Sequence, residues 1–401
     1  MPIQSANTIG TTSLAELVAV RAAEAAGYLT VGSKKYLGDQ LKGKRNGQDY
    51  RFVIRDVAEA VNSLSADPAN QKTNIVEREV TLSLDPWHIL VETNAIEKIT
   101  DLKWDDEIAK PNATALINKF VKKVLKSDIA KVNTAFVGFG FAPMSRAGAY
   151  IGSITDGDRF GFCDPNVEAI LTSNGQMFTP VNAPDMYAKG LLGKFHMVDY
   201  RAQRFFPTVK ISETLKTQSA DAYIESVVDN SDGTWTMNIA ATTLSENIPA
   251  GLPIFVDDVF ACDLVGEETS NLACFVVMED ATPASNKAAL TVSAKALGAA
   301  GVGTREINVE KVADFQNKTI SIPEAGTYFM GIVRAEGAEE FETLDELDAA
   351  GADYEKVTIG NLSVHQNRIV DLVEMSNKTR FDIVGVAGLV DGRAASLFYI
   401  R

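Results

Sequence analysis

The chain has 401 residues, of which 46% are hydrophobic and 23% are charged. This is an ordinary globular composition, and it argues against a disordered, collagen-like or membrane-spanning chain, since no apolar run approaches about 18 residues. Three cysteines without a CxxC pair indicate neither a disulfide framework nor a zinc site. The first residues lack the basic and apolar regions of a signal peptide, so we expect a soluble protein made inside the cell.

The net charge of −15 is unevenly distributed along the chain. Residues 1–210 carry 25 basic and 23 acidic side chains, whereas residues 211–401 carry 13 and 30. Between Lys216 and Lys287 there are twelve acidic residues and no basic one. Such a run is most often a solvated face, but the asymmetry also fits a subunit with an acidic outer face and a milder or basic inner face.

The N-terminal region combines a helix with a basic segment. Ser13 and Glu16 form a capping box, which predicts a helix over residues 14–26 that ends at a left-handed Gly27. Residues 28–47 are rich in glycine and lysine and predict a mobile loop or arm. Seven basic residues lie between positions 34 and 55, and only two acidic residues accompany them. The seven are Lys34, Lys35, Lys42, Lys44, Arg45, Arg51 and Arg55.

Two strands and a long helix are predicted next. Strands fit residues 50–57 and 79–84, the second of which alternates apolar and polar side chains. From Ile117 to Val132 apolar residues recur at helical spacing, which predicts an amphipathic helix that begins near Pro111. Its opposite face is filled by Asn118, Lys119, Lys122, Lys123 and Lys126. The preceding acidic residues, Asp105, Asp106 and Glu107, suit the positive end of the helix dipole.

Mixed α/β structure is predicted over residues 138–210. A short strand at Phe160–Cys163 leads into a helix capped by Asp164, with Pro165 at its first position. A second short helix fits residues 183–190, and a strand fits residues 194–200.

Short strands separated by polar turns follow residue 219. The turn at Asn230–Gly233 predicts a hairpin, and further strands are predicted at 254–261, 272–278, 289–293, 318–322 and 327–333. A helix-like acidic stretch near Thr343–Ala349 precedes strands at 369–373, 381–390 and 395–400. The run 381–390 is apolar on both faces apart from Asp382, so we expect it in the centre of a sheet.

No constellation of catalytic or metal-binding residues is found in the sequence. His88, His196 and His365 are isolated. The glycines of 138–140 lack the rest of a dinucleotide motif, and Asp156-Gly157-Asp158 fits a turn better than a calcium loop. We therefore expect no enzymatic activity, no cofactor, and no catalytic, metal or cofactor-binding residue, which favours a structural or assembly protein.

Four segments, taken in order, carry a resemblance to a known family. They are VEREVTLSLD (Val76–Asp85), the long-helix region Thr100–Asn133, FGFCDPNVEAILTS (Phe160–Ser173) and GKFHMVDYRAQRFF (Gly193–Phe206). Together they resemble the major capsid (coat) protein of tailed double-stranded DNA bacteriophages, whose fold also occurs in encapsulins. The β-rich segment after residue 219 is similar to the insertion domain of short-tailed phage coat proteins.

The resemblance implies an α+β capsid fold with a particular domain order. That order is an N-terminal arm (1–33), an extended loop with strands of the peripheral (P) domain (34–85), the P domain with its spine helix (86–137), part of the axial (A) domain (138–218), a β-rich insertion domain (219–335) and returning A- and P-domain strands (336–401). It also implies a subunit of an icosahedral head that encloses the double-stranded DNA genome. The expected location is the virion, after assembly in the host cytoplasm.

The same resemblance implies partners. These are further copies of the chain in hexamers and pentamers, a scaffolding protein, a portal protein, an optional decoration protein, and packaged DNA by weak non-specific contact; no membrane is expected. Glu16 is similar in position to an acidic residue that meets scaffolding protein in relatives. From charge alone, the seven basic residues could face either DNA or the acidic patch Asp105–Glu107 of a neighbouring subunit, and we favour the neighbour because tight DNA binding would hinder packaging.

Three alternatives remain at the level of sequence. An encapsulin-like bacterial nanocompartment shell has the same fold, but the acidic β-rich insertion argues against it. A β-rich virion surface or tail protein leaves the long helix unexplained. A hydrolase of unrecognised type would need a pocket with convergent carboxylates.

Overall fold

A computed structural model describes residues 14–34, 49–55, 77–94, 110–173, 193–195, 197–298, 305–344, 353–371 and 376–401. These residues form both helices and β-sheets, which confirms the predicted α+β class. The helices are α1 (Leu14–Ala25), α2 (Gly27–Thr30), α3 (Lys110–Lys131), α4 (Ala142–Ile154), α5 (Pro165–Ser173) and α6 (Glu213–Gln218), with 3-10 turns at Val312–Phe315 and Gly392–Ala394. Within the described ranges, none of the helices has the length and apolar character needed to cross a membrane.

The strands of the described residues follow the chain as β1 to β20. They are β1 (Asp49–Arg55), β2 (Glu77–Ser83), β3 (Asp85–Asn94), β4 (Ala135–Gly138), β5 (Arg159–Cys163), β6 (Gly193–Phe195), β7 (Val198–Ala202), β8 (Thr208–Ile211), β9 (Tyr223–Asp229), β10 (Thr234–Ala240), β11 (Pro253–Cys262), β12 (Glu268–Val276), β13 (Lys287–Ser293), β14 (Ile320–Ser321), β15 (Gly326–Ala335), β16 (Glu339–Thr343), β17 (Asp353–Ile359), β18 (Leu362–Asp371), β19 (Ser376–Leu389) and β20 (Ala395–Ile400).

The chain divides into two compact units. Unit 1 contains the described residues of 1–52, 80–124 and 339–388. Unit 2 contains those of 53–79, 125–338 and 389–401.

Unit 1 is built on a five-stranded sheet in the order β16-β19-β18-β17, in which β3 also pairs with β19. The central position of β19 confirms the prediction from its apolar sequence, and Phe381 and Ile383 are fully buried. The first part of α3 packs on this sheet through Phe120, whose ring centroid lies 6.2 Å from that of Trp87 and 6.3 Å from that of Phe341. The amphipathic pattern of α3 therefore produces the core that periodicity predicted.

A separate two-stranded sheet is formed by β1 and β2. Along β2, Val80 and Leu82 are buried, whereas Glu79, Thr81 and Ser83 are exposed, as the alternating sequence predicts. Only Leu84 separates β2 from β3, so the ribbon continues almost directly into an edge strand of the unit 1 sheet.

Unit 2 is centred on a seven-stranded mixed sheet in the order β4-β20-β15-β5-β7-β6, with β8 pairing to β15. Its helix α4 packs against β4 and β20. Gly161 on β5 leaves room for the ring of Tyr200 on the neighbouring strand β7, because a Cβ atom at position 161 would overlap that ring. The hydroxyl of Tyr200 donates to the carbonyl of Met144 at 3.0 Å, which joins the sheet to α4.

Two three-stranded sheets complete unit 2, in the orders β13-β10-β9 and β12-β11-β14. The predicted hairpin is present, since β9 and β10 pair in antiparallel register across the turn. Trp235, Phe275 and Phe315 form an aromatic cluster with ring centroids 5.7–6.5 Å apart. The strand β15 lies between β20 and β5 and so belongs to the seven-stranded sheet.

Several local predictions are confirmed. The long helix occupies Lys110–Lys131, and α5 begins at Pro165 after Asp164. The Asp164 carboxylate accepts the backbone N–H of Asn166 at 2.8 Å, as a capping residue does. The predicted helix at 183–190 lies outside the described residues.

Two local predictions are wrong. Gly27 does not end the first helix in a left-handed conformation; it begins α2, where Tyr28 and Leu29 are buried, and Gly32 has the positive φ of 73° instead. Residues 194–200 are not one strand, because the chain reverses at Met197 (φ 67°) and β6 pairs antiparallel with β7. Of the predicted helix-like stretch near Thr343–Ala349, Thr343 is the last residue of the buried strand β16, and residues 345–349 lie outside the described residues.

Candidate functional site

The predicted basic cluster is described at three of its seven positions. The backbone of Lys34 pairs with β16, since its N–H donates to the carbonyl of Glu339 at 2.9 Å and its carbonyl accepts the N–H of Phe341 at 3.2 Å. Its side chain is exposed, and so is that of Arg51 on β1, while Arg55 is the last residue of β1. The remaining four, Lys35, Lys42, Lys44 and Arg45, lie outside the described residues.

Of the four acidic residues predicted to contact partners, one lies within the described residues. Glu16 lies in the first turn of α1 with an exposed side chain. The opposite side of α1 buries Val18, Ala19 and Ala22, and the helix packs against β17 and β18. Asp105, Asp106 and Glu107 lie outside the described residues, so their relation to the basic cluster remains a prediction.

Two of the three histidines lie within the described residues, and their environments differ. His365 is buried, with Nε2 2.8 Å from the carbonyl oxygen of Leu344 and Nδ1 2.6 Å from the hydroxyl of Tyr354. Because the carbonyl can only accept, Nε2 carries a hydrogen and donates it. His88 is exposed, and His196 is outside the described residues.

The three cysteines are buried, and none of them forms a disulfide. Burial raises the pKa of Cys262 to about 11 and that of Cys274 to about 12, so both thiols stay protonated near neutral pH. In the part of the chain that the structure describes, no group of three or more His, Cys, Asp or Glu side chains could hold a metal ion.

A buried polar arrangement lies in unit 2, at the carboxyl end of α3. The buried ammonium of Lys295 donates to the carbonyls of Lys131 at 2.8 Å, Val132 at 2.9 Å and Ala130 at 3.4 Å. These are carbonyls that a helix end leaves without intrahelical donors, and a cation there also complements the helix dipole. Burial lowers the pKa of Lys295 to about 8.

Two further hydrogen bonds hold the same end of the helix. The Cys274 N–H donates to the carbonyl of Asn133 at 2.8 Å, and the buried carboxylate of Asp128 accepts the N–H of Leu389 at 2.7 Å. A Cβ atom on Gly392 would overlap the carbonyl of Lys131, so glycine is required for this close approach. The helix end is therefore fixed by distant parts of the chain.

The face of α3 that points away from the core differs from its buried carboxyl end, because it carries exposed lysine side chains. Lys119, Lys122 and Lys126 are exposed, and in the part of the chain that the structure describes they have no ion-pair partner. The ammonium of Lys123 pairs with the carboxylate of Asp85 at 2.6 Å. The acidic side chain of α3, Asp128, is buried, so the charged groups exposed on this helix are all lysines.

Sequence reasoning found the lysine face but missed Lys295, Asp128 and Gly392. Their contacts join residues more than 100 positions apart. One signal was present in the sequence: Lys295 is an isolated lysine in an acidic, strand-rich segment, beside apolar residues.

Comparisons with known proteins found distant structural likenesses. No family model matches the sequence, and no curated protein matches it. A solved structure from Mycobacterium phage Che8 is 10% identical, with a TM-score of 0.44 over 92% of this chain and 90% of that one. The capsid of cyanophage P-SCSP1u is 11% identical (TM-score 0.41, 89% and 85%), and a virus-like particle from Pyrococcus furiosus is 8% identical (TM-score 0.37, 96% and 97%).

Proposed function

We propose that this chain is the coat subunit of a tailed-phage head, which self-assembles into an icosahedral shell around double-stranded DNA. The observation that carries the proposal is the ribbon of β1 and β2, which runs almost directly into the sheet of unit 1. An isolated two-stranded ribbon is marginally stable in water. Val53 on β1 is 58% exposed, which is expected of a strand that gains contacts from neighbouring subunits.

The order of elements supports the same proposal. The chain passes from the α1 helix through the ribbon to the β3 strand and the 22-residue helix α3, and then to the seven-stranded sheet of unit 2. This is the succession of arm, extended loop, spine helix and A domain that the resemblance implies. A structural role also fits the buried, protonated thiols and the buried ring of His365, which contacts a backbone carbonyl and a tyrosine hydroxyl.

The domain ranges, partners and location form the finer part of the proposal. The segment 219–335 is proposed as the insertion domain, although its last strand, β15, also completes the seven-stranded sheet. Hexamers and pentamers of this chain, a scaffolding protein that meets Glu16, a portal and an optional decoration protein are the proposed partners. Assembly is placed in the host cytoplasm and the product in the virion.

Electron microscopy of the protein, expressed alone and then together with the genes adjacent to its own, tests the proposal. We expect closed polyhedral shells, or aberrant shells and tubes when the protein is expressed alone. Shells filled with an enzyme instead of DNA would assign the chain to the nanocompartment class. A small, homogeneous oligomer under both conditions would exclude a coat protein.

The basic segment provides a second test, of the proposed subunit contact. We expect reversal of Lys42, Lys44 and Arg45 to glutamate to block assembly while the subunit stays folded, because the segment would then repel the acidic patch of its neighbour. Circular dichroism checks folding and electron microscopy checks assembly. A matched control reverses three exposed lysines elsewhere, Lys210, Lys311 and Lys356; normal shells from the basic-segment variant would refute the contact.

A further inference from the structure

The exposed face of α3 is a lysine stripe, defined by Lys119, Lys122 and Lys126. Offsets of three and seven residues keep the three side chains on one side of a helix. At about 1.5 Å of rise per residue, the stripe extends about 10 Å along the helix axis. Each side chain is exposed and, among the described residues, has no ion-pair partner.

We infer that the lysine stripe contacts the phosphate backbone of double-stranded DNA, which in the proposed function is the packaged genome. Double-stranded DNA carries about one phosphate charge per 1.7 Å of helix axis, counting both strands, so each of three ammonium groups spread over about 10 Å has a phosphate within reach of its flexible stem. Ammonium groups on flexible stems act as point charges and neutralise phosphates without reading the bases.

The composition of the stripe favours DNA over a protein partner. Protein interfaces are depleted in lysine and built around aromatic or other large apolar residues. The exposed neighbours on this helix are Pro111, Ala115 and Lys123, which provide no such anchor. Among the described residues, Asp85 is the acidic side chain that pairs with a lysine of this face, Lys123.

The expected contact is weak in each subunit and becomes significant through repetition. Each phosphate contact contributes about 0.9 to the slope with which log affinity falls against log salt concentration. Three contacts should therefore lower the affinity about 40-fold between 50 and 200 mM salt. Many copies on one surface would add such contacts through multivalency. A weak, salt-sensitive contact of this kind lets DNA slide during packaging and release.

Binding of the purified full-length chain to a labelled 30-base-pair duplex of mixed sequence, measured by fluorescence anisotropy between 20 and 200 mM NaCl, tests the inference. We expect Lys119→Gln, Lys122→Gln and Lys126→Gln together to remove most of the salt dependence and to lower affinity at 50 mM salt at least tenfold. The matched control replaces Lys210, Lys311 and Lys356 with glutamine, which gives the same change in net charge on other exposed positions.

Each outcome decides the inference. Loss of affinity in the stripe variant but not in the control supports it. Equal losses in both variants, or none in either, overturn it, because binding would then depend on overall charge or on another surface. If the stripe variant fails to form shells that the wild type forms, the stripe is a subunit contact and the inference is also overturned. An absence of wild-type shells counts against the proposed function, whereas an unchanged DNA affinity counts against the stripe.

Discussion

The carboxyl end of α3 and the exposed face of the same helix use lysine in opposite ways. At the end, the buried ammonium of Lys295 is surrounded by backbone carbonyls, and Cys274 adds a further donor. On the face, the ammonium groups of Lys119, Lys122 and Lys126 are exposed. The first arrangement fixes the fold of the subunit, because the ammonium donates its hydrogen bonds within the subunit; the second leaves charge available for a partner outside the subunit.

Replacing Lys295 with methionine gives the largest effect expected from this difference. The apolar side chain fills a similar volume but removes the three hydrogen bonds that Lys295 donates to the helix end, so we expect about 3 kcal/mol of lost stability. Urea unfolding, monitored by circular dichroism, measures this loss in the free energy of unfolding. The control, Lys287→Met, changes an exposed lysine of the same unit that pairs with Glu225; an equal shift of the midpoint in both variants would contradict the role of burial.

Gly392→Ala disturbs the same helix end sterically. The new methyl group would overlap the carbonyl of Lys131, and we expect a loss of about 2 kcal/mol because the backbone must move. Gly157→Ala is the matched control, since a Cβ atom there is 3.9 Å from its nearest neighbour, Glu336. Unfolding midpoints that coincide for the two variants would show that the close approach at Gly392 is not needed.

The pH dependence of stability should separate Lys295 from the exposed lysines. Burial holds its pKa at about 8 instead of the ordinary 10.5, so above pH 8 the unfolded chain binds more protons than the folded one. Stability contributed by this group therefore rises with pH, by about 1 kcal/mol between pH 7 and 9.

The Lys295→Met variant should lack this rise. Taking the difference between wild type and variant cancels the opposite effect of Cys262, whose raised pKa makes stability fall at higher pH. Cys274 interacts with Lys295, so its pKa rises further in the variant and adds to the difference in the same direction. Urea unfolding at pH 7, 8 and 9 gives the difference directly, and a constant difference would mean that the ammonium is not buried as described.

Asp85→Asn should produce the smallest effect and acts on the exposed face. It releases Lys123 from its ion pair, which makes a fourth ammonium available beside the lysine stripe. We expect the slope of log affinity for DNA against log salt to steepen by about 0.9. The anisotropy titration described above measures this slope, and a slope equal to that of the wild type would argue that Lys123 does not reach DNA.

Features with a local cause could be predicted from the sequence. Helix α3 follows from apolar periodicity, and the β9–β10 hairpin follows from the turn residues Asn230–Gly233. The buried strand β19 follows from a run that is apolar on both faces. In each case a short window contains the whole signal, since the pattern itself decides which face is buried.

The remaining features depend on residues far apart in the chain. The triple contact of Lys295 joins it to a helix end 163–165 residues away, and no local pattern predicts that partner. The reversal at Met197 places a residue other than glycine at positive φ, which turn propensities disfavour. The strand β16 was not predicted because it contains polar residues, such as Glu339 and Thr343, that are buried in the fold.

An icosahedral reconstruction by electron cryomicroscopy, of particles formed by this protein together with the products of the genes adjacent to its own, tests the central claim most directly. The account predicts a closed shell built from this chain, with the ribbon of β1 and β2 against a neighbouring subunit and the lysine stripe facing the DNA-filled interior. A small oligomer in place of a shell would contradict the coat-protein function, and a shell with the stripe on its outer surface would contradict the DNA contact alone.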